Sequence, residues 1–327
     1  MVDLKNKIFF DKDISLSSLS GKVVGIVGYG NQGRAQALNL RDSGIDIIVG
    51  LRDSSASIKK VAKDSLKCTN IDDLIKKADI VSIMIPDNTI DSFLGKKISK
   101  FRTGQTILVS HGSSIIYGKT KLPDYLNIVM VAPSGGGKVV RSEYKNNFGV
   151  PALVAVHNDF SKTSIELALS YAKAIGSARA AVFISTFKEE TDTDLFGEQV
   201  ILTGSIPMIV IESYKVLLEE GYDPVVSWFV CFYELKTIVS LMFEKGMESF
   251  YDMVSDTARY GGISRGKRLI DDDFKNKIKV IIQEIKNGDF NKELKSSIKK
   301  YDSSDIFNSN EFKEVERNLL KKIKKTN

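Results

Sequence analysis

The sequence predicts an α/β domain built on a parallel sheet, followed by an all-α domain. Two observations carry this prediction. Short runs of Val and Ile alternate with helix-like stretches up to about residue 185, and from Thr186 long helical patterns replace them. A third observation, a glycine-rich turn placed between the first long strand pattern and the first long helix pattern, specifies the α/β domain further.

Strand patterns fall at residues 22–27, 45–49, 79–85, 106–109, 128–131, 151–156 and 180–184. Each is a short apolar run of the kind that buries both faces in a parallel sheet. Helical patterns fall between several of them, at 32–43, 57–66, 71–78 and 161–175. Alternation of this kind implies βαβ units with right-handed crossovers. In the second half, helical patterns cover 198–218, 224–243, 247–260 and 272–286. The expected domains are therefore 1–185 and 186–327.

Composition narrows the function classes. A chain of 327 residues with 43% hydrophobic and 27% charged residues is an ordinary globular sequence long enough for two cores. No unbroken apolar run approaches the ~20 residues of a membrane span, and the start carries no apolar stretch followed by small residues. Cys68 and Cys231 lie far apart, and the only histidines are His111 and His157. A disulfide framework and a zinc site are not expected, a reducing cytoplasm fits, and any metal is expected to be hard and oxygen-bound. The net charge of +6 is spread along the chain, with some concentration at 321–325. That is a solvated surface plus a basic tail, not a nucleic-acid stripe, so neither nucleic acid nor membrane is expected as a partner.

The glycine-rich turn has G-x-G-x-x-G spacing at Gly28, Gly30 and Gly33. The first glycine permits a tight turn, the second lets backbone approach a pyrophosphate, and the third lets the helix pack against the strand. The helix N-terminus then offers N–H groups to phosphate. This is the Rossmann fingerprint. The next strand ends in Leu51-Arg-Asp-Ser-Ser-Ala-Ser57. Asp53 suits the ribose 2′-hydroxyl of NAD(H), whereas Arg52 with Ser55 and Ser57 suits the 2′-phosphate of NADP(H). The balance favours NADP(H), with NADH kept open by Asp53.

Asp194 and Glu198 stand four residues apart, on one face of a helix, and Glu234 lies on a later helix. Carboxylates from different helices with few histidines nearby point to Mg²⁺.

Several segments in one order resemble ketol-acid reductoisomerase, a Mg²⁺- and NADPH-dependent family of branched-chain amino-acid synthesis. They include GIVGYGNQGRAQALNLRDSG, VGLRDSSAS, PDNTI, SHGSSIIYG, VMVAPSGGG, TFKEETDTDLFGEQ, ELKTIV and SDTARYGG. The length is that of the family's short class. The resemblance implies a Rossmann domain, a knotted all-α C-terminal domain, and a homodimer or larger homo-oligomer. It places the pyrophosphate on Tyr29, Gly30, Asn31 and Gln32, the 2′-phosphate on Arg52, Ser55 and Ser57, and the cofactor cleft along Asp87, Asn88, Thr89, Ile90 and Gly137. His111 matches a catalytic histidine, and Ser255 a substrate contact. Asp194 matches the acid bridging two Mg²⁺ ions, Glu198 a ligand of the first and Glu234 a ligand of the second. The implied reaction is alkyl migration in a 2-acetohydroxy acid followed by reduction to a 2,3-dihydroxy acid.

The sequence departs from the family near that chemistry. Val230 and Ser134 stand where the family has Glu and Lys, Lys138 where it has His, and Arg259 where it has an acid. These departures weaken the second metal site. They motivate two narrower alternatives, a paralogue that only reduces a 2-keto acid and a non-catalytic NADP-binding subunit.

Overall fold

The computed structural model describes residues 7–297 and 310–323. The first six residues, read above for a leader, and Lys324 and Lys325 of the basic tail lie outside them. Contacts divide the chain into two compact units, Met1–Thr191 and Asp192–Asn327.

The first unit is built on nine strands. They are β1 (Ile8–Phe9), β2 (Val23–Val27), β3 (Asp46–Leu51), β4 (Cys68–Asn70), β5 (Ile80–Ile83), β6 (Thr106–Val109), β7 (Asn127–Pro133), β8 (Ala152–Asn158) and β9 (Val182–Ile184). Their order is β1-β9-β8-β7-β6-β5-β2-β3-β4. From β4 through β7 every pair is parallel. Helices α1 (Asn31–Asp42), α2 (Ile58–Lys63), α3 (Ile71–Lys77), α4 (Asp87–Lys97) and α5 (Ser113–Ile116) lie between these strands in the chain. The order reverses at β2, whose neighbours are β3 and β5, so the crevice beyond the ends of β2 and β5 is the switch point where such sheets bind ligands.

The sheet is not wholly parallel, as the alternation alone predicts. β8 runs antiparallel to β7, and β1 antiparallel to β9. The register gives the reason for β8: Pro133, the last residue of β7, pairs with Ala152, the first of β8. The intervening helix α6 (Gly137–Lys145) thus returns the chain to the same end of the sheet, and β8 must run back. Helix α7 (Ser164–Ala174) then crosses over to β9, which pairs parallel with β8.

Apolar layers fill both faces. One holds Leu40, Leu108, Ile175 and Val182, the other Leu74, Leu94, Phe101 and Ile128. Phe187, the first residue of α8 (Phe187–Gly197), belongs to the second layer, so the first unit extends through the start of this helix. Among the described residues of this unit, buried side-chain polar groups are paired. The fully buried Tyr171 hydroxyl donates to Gln36 Oε1 at 2.9 Å, and Asn39 Nδ2 donates to the carbonyls of Val140 and Ile175. Behind the glycine turn, the Asp64 carboxylate accepts from the Tyr29 hydroxyl at 2.8 Å and from both Arg34 nitrogens at 2.7 and 2.8 Å.

The second unit is helical. After α8 the helix continues through a π-helical turn (Glu198–Leu202) before α9 (Ser205–Glu219). Then α10 (Pro224–Trp228) passes through a second π-helical turn (Phe229–Tyr233) into α11 (Glu234–Phe250), which is kinked at Gly246. Four further helices are α12 (Asp256–Leu269), α13 (Asp272–Lys286), α14 (Asp289–Ser297) and α15 (Asn310–Ile323). The single helix expected over 247–260 is two, because the Ser255 hydroxyl accepts the Ala258 N–H and starts α12 afresh. A small core gathers Ile211, Tyr214, Trp228 and Phe312, with Trp228 fully buried.

Two largely helical stretches, Phe187–Glu219 and Pro224–Phe250, each contain an 18-residue window of mean hydropathy 1.5, long and apolar enough by length and composition to cross a membrane. Counting unbroken apolar runs misses them, since charged residues interrupt the runs without interrupting the helix. Only 22% and 11% of their apolar windows are buried within the chain, so each carries a broad uncovered apolar face.

The hydrogen bonds and charge of Arg34 hold the Asp64 carboxyl down at about 2. Its stabilisation is therefore complete above the unfolded carboxylate value near 4 and is lost as pH falls through about 2. Asp64→Asn should lower stability by about 1–2 kcal/mol at pH 7, and the gap to wild type should close near pH 2 in thermal or denaturant unfolding.

Candidate active site

The glycine turn follows β2 directly. Gly28 has a φ of +95°, and a Cβ there would lie 2.7 Å from the Met84 carbonyl oxygen. At Gly33 a Cβ would lie 2.5 Å from the Gly28 carbonyl oxygen, so α1 is pressed onto the turn. Gly30 has open space and caps α1 without a side chain, leaving its N-terminal N–H groups facing outward. Gly28 and Gly33 thus leave no room for a side chain, whereas Gly30 faces open space.

The turn is braced from below. Gln32 Nε2 donates to the Gly135 carbonyl at 2.7 Å, and Gln36 Nε2 donates to Gln32 Oε1 and Ser110 Oγ. A Cβ at Gly137 would lie 2.0 Å from the Asn31 carbonyl oxygen, so the start of α6 touches the start of α1 backbone to backbone.

Beside the turn lies a cavity of about 430 Å³. It brings together Gly28, Tyr29, Arg52, Ser55, Ser57 and Thr89. The Ser55 N–H donates to the Arg52 carbonyl, which curls this loop around the cavity mouth. Lys96, from α4, also lines the wall, a cation that the motif at the end of β3 does not reveal. Asp53 is exposed and is not part of the wall. Of the expected cleft segment, Thr89 lines the cavity, whereas Asp87 and Asn88 do not. Ile90 is 1% exposed and belongs to the core, because the first turn of α4 points it into the sheet layer.

His111 stands just beyond the end of β6. Its Nδ1 lies 3.0 Å from Glu190 Oε1, and the other Glu190 oxygen accepts the Gly112 N–H at 3.0 Å. The Glu190 side chain is 3% exposed. A carboxylate only accepts, so the proton sits on Nδ1 and Nε2 is the acceptor atom of the ring. A Cβ at Gly112 would lie 2.4 Å from Thr191 Oγ1 and 2.9 Å from the Phe187 carbonyl oxygen, so only glycine lets β6 reach this helix. Asp87 feels the pair. Desolvation raises its carboxyl, the His111 ring lowers it, and the Glu190 charge raises it.

Glu190, the buried partner of His111, is a residue that the sequence motifs pass over. It sits in Lys188-Glu-Glu-Thr191, which reads as a solvated acidic turn. The signal was its spacing, one helical turn before Asp194 on the same face of α8.

In the second unit, Glu198 opens the first π-helical turn and its carbonyl accepts the N–H groups of Thr203 and Gly204. Glu234 follows the second π-helical turn. Such turns re-aim side chains and are frequent at functional sites. Both carboxylates are exposed, and neither joins a close group of three ligating side chains among the described residues. The convergence expected of Asp194, Glu198 and Glu234 is thus not formed within one chain. Ser255 is exposed and spends its hydroxyl on the cap of α12. Val230 is half exposed. Ser134 is exposed, and its N–H extends the β7–β8 pairing to the Pro151 carbonyl. Lys138 lines a different cavity, beside Arg34 and Lys63, rather than serving the loop of Ser134.

Comparison with known proteins decides the family. The model for the acetohydroxy acid isomeroreductase NADPH-binding domain matches residues 18–181. The model for the ketol-acid reductoisomerase C-terminal domain matches residues 187–326. The chain belongs to the ketol-acid reductoisomerase family.

Named ketol-acid reductoisomerases (NADP(+)) are similar across most of the chain. One from Methanocaldococcus jannaschii is 44% identical over 288 residues, covering 88% of this chain and 87% of that protein. One from Pyrococcus abyssi is 41% identical over 318 residues, covering 97% and 95%. Among solved structures, an NADH-preferring ketol-acid reductoisomerase from an uncultured archaeon superposes with a TM-score of 0.91 at 32% identity, covering 96% of this chain and 98% of its own. An oxidoreductase from Jannaschia at 14% identity and TM-score 0.64 shares the fold alone.

Gly137→Ala should force α6 off the glycine turn. The expected outcome is a fall in NADPH affinity of about tenfold or more, with a Tm lower by several degrees, read by calorimetric titration and thermal unfolding.

Proposed function

We propose that this chain is an active NADP(H)-dependent ketol-acid reductoisomerase, converting 2-acetohydroxy acids to 2,3-dihydroxy acids for valine and isoleucine synthesis. The observation that carries this is the buried Glu190 holding the His111 ring one turn before Asp194. A buried carboxylate is costly to keep without a task, and here it sits on a histidine of the family's active site. That argues against both narrower alternatives, reduction alone and mere NADP binding. In this assignment residues 1–185 bind the cofactor, and 186–327 supply metal ligands, Ser255 as a substrate contact, and the surface for a second copy.

The donor set fits Mg²⁺: Glu190, Asp194 and Glu198 offer oxygen, and the cysteines lie elsewhere. Asp194 and Glu198 would hold one ion, and Asp194 with Glu234 a second. When bound, Mg²⁺ supplies Lewis-acid polarisation of the substrate's hydroxyl and carbonyl oxygens. Val230 leaves the second position one carboxylate short, and Mg²⁺ readily keeps waters in such places.

The chain's own groups do the rest. His111 takes the C2 hydroxyl proton at Nε2, with Glu190 fixing its tautomer. As the C2–O bond becomes a carbonyl, the alkyl group moves with its electron pair from C2 to C3. The C3 oxygen gains a proton, giving a 2-keto-3-hydroxy acid. Held by the Gly28–Gly33 turn with Arg52, Ser55 and Ser57, NADPH would supply the hydride that reduces the C2 carbonyl, the C2 oxygen taking its proton from solvent. The Gly28–Gly33 turn, braced by Gln32, would hold the cofactor's pyrophosphate.

For the cofactor, Arg52, Ser55, Ser57 and Lys96 favour a 2′-phosphate, while Asp53, the residue that suits NADH, lies outside the cavity wall. The uncovered apolar faces at Ile201, Leu202, Phe229 and Phe243 are read as the surface of a homodimer or larger homo-oligomer rather than as membrane spans. In that assembly Glu234 reaches a site it does not complete alone. The two unpaired cysteines fit a reducing cytoplasm.

Pure protein given 2-acetolactate, Mg²⁺ and NADPH should oxidise NADPH. Asp194→Asn should abolish turnover, and Glu190→Gln should lower kcat by about 100-fold. Turnover of 3-hydroxy-3-methyl-2-oxobutanoate without turnover of 2-acetolactate would instead establish the reduction-only alternative. Arg52→Ala should raise KM for NADPH about tenfold while leaving that for NADH nearly unchanged. Sedimentation without detergent should show a dimer or larger.

A further inference from the structure

Outside the cofactor cavity, the first unit carries a second concavity of about 680 Å³ between α1, α2 and α6. Its walls are cationic by construction. Helix α1 presents Arg34 and Arg41, seven residues apart and on one stripe with Leu38. Helix α6 presents Lys138, Arg141 and Lys145, again one stripe, and α2 adds Lys60 and Lys63. Spacings of three and four residues bring such side chains to one face of a helix, so three helices direct their cations into one groove. Asp64 is the single acid lining it, and its carboxylate is taken by Arg34.

Two of the cations are held in place. Arg34 forks onto Asp64, and Arg141 donates to Asn39 Oδ1 at 2.8 Å and Asp42 Oδ2 at 2.6 Å. By contrast, the side-chain ammonium groups of Lys60, Lys63, Lys138 and Lys145 make no ion pair or hydrogen bond among the described residues. Four unpaired ammonium groups sharing a concave site repel one another, and an anion placed among them relieves that repulsion. From Lys138 to Lys145 the row extends ~10 Å at 1.5 Å per residue, longer than one phosphate and matched to a chain of them. The groove offers no aromatic face to a base, because Tyr29, its one aromatic residue, is 4% exposed and bonded to Asp64. Without stacking surfaces, single-stranded nucleic acid gains little here.

We propose that this groove is a second anion site that takes a linear phosphate chain of about three units, free or as the phosphate end of a small ester. It shares Tyr29, Gly30, Asn31 and Gly137 with the segments assigned to the cofactor, whereas Lys60, Lys63, Arg141 and Lys145 lie outside those segments and outside the cavity of Arg52. It does not depend on the activity assigned above, since its signal is binding.

The test is calorimetric titration of the full chain with tripolyphosphate at fixed ionic strength, with and without saturating NADPH. One molecule should bind per chain in both conditions, with affinities within about threefold, while sulfate at matched ionic strength gives no comparable heat. Lys63→Glu with Lys145→Glu should weaken binding by at least about tenfold and leave KM for NADPH within about twofold. If that pair unfolds, the milder Lys63→Ala with Lys145→Ala should weaken binding about threefold. Complete displacement by NADPH would reduce the groove to an arm of the cofactor site and overturn the proposal. So would binding unchanged in the variants, or a short single-stranded RNA that displaces tripolyphosphate at lower concentration.

Discussion

Backbone meeting backbone, with no room for a side chain between, is the constraint on which the first unit depends. The start of α1 is pinned against the glycine turn at Gly33 and against α6 at Gly137, and β6 meets α8 at Gly112. These contacts bring the glycine turn, the cavity lined by Arg52 and Ser55, and His111 to the same end of one sheet. A single methyl group at any of them would separate parts that are otherwise well supported by apolar layers.

That constraint explains what the sequence discloses and what it hides. The central strands are legible because both faces of each are buried, which demands runs dominated by Val and Ile and free of charge, such as Val23–Val27 and Ile80–Ile83. β1 and β4 are two and three residues long, too short to show a period. Helix α6 begins in a glycine run that reads as loop, because its first residue must lie against Asn31. The antiparallel turn of β8 follows from where α6 delivers the chain, which no local pattern encodes. At the site, the glycines, Arg52 and the serines are legible because phosphate chemistry prescribes them. Lys96 and Glu190 are not, since their roles depend on which helix face the fold presents.

The second unit shows the opposite balance. Its chemistry is legible and its proximity is not. Asp194, Glu198 and Glu234 announce a hard-cation site by residue type, yet the described residues of one chain do not gather them. The same helices expose apolar side chains such as Ile201, Leu202 and Phe243. The proposed homo-oligomer would account for both facts, by covering these faces and bringing the carboxylates together.

Trp228 gives this arrangement an optical consequence. It is the only tryptophan of the chain, fully buried against Phe232 in the small core that also holds Phe312. Ultraviolet emission above 300 nm excitation therefore originates wholly in the helical unit, while the sheet unit is dark. A red shift of that emission during heating or dilution marks the loosening of the helical core alone. A lag between that signal and the loss of sheet ellipticity measures how far the two units melt as one.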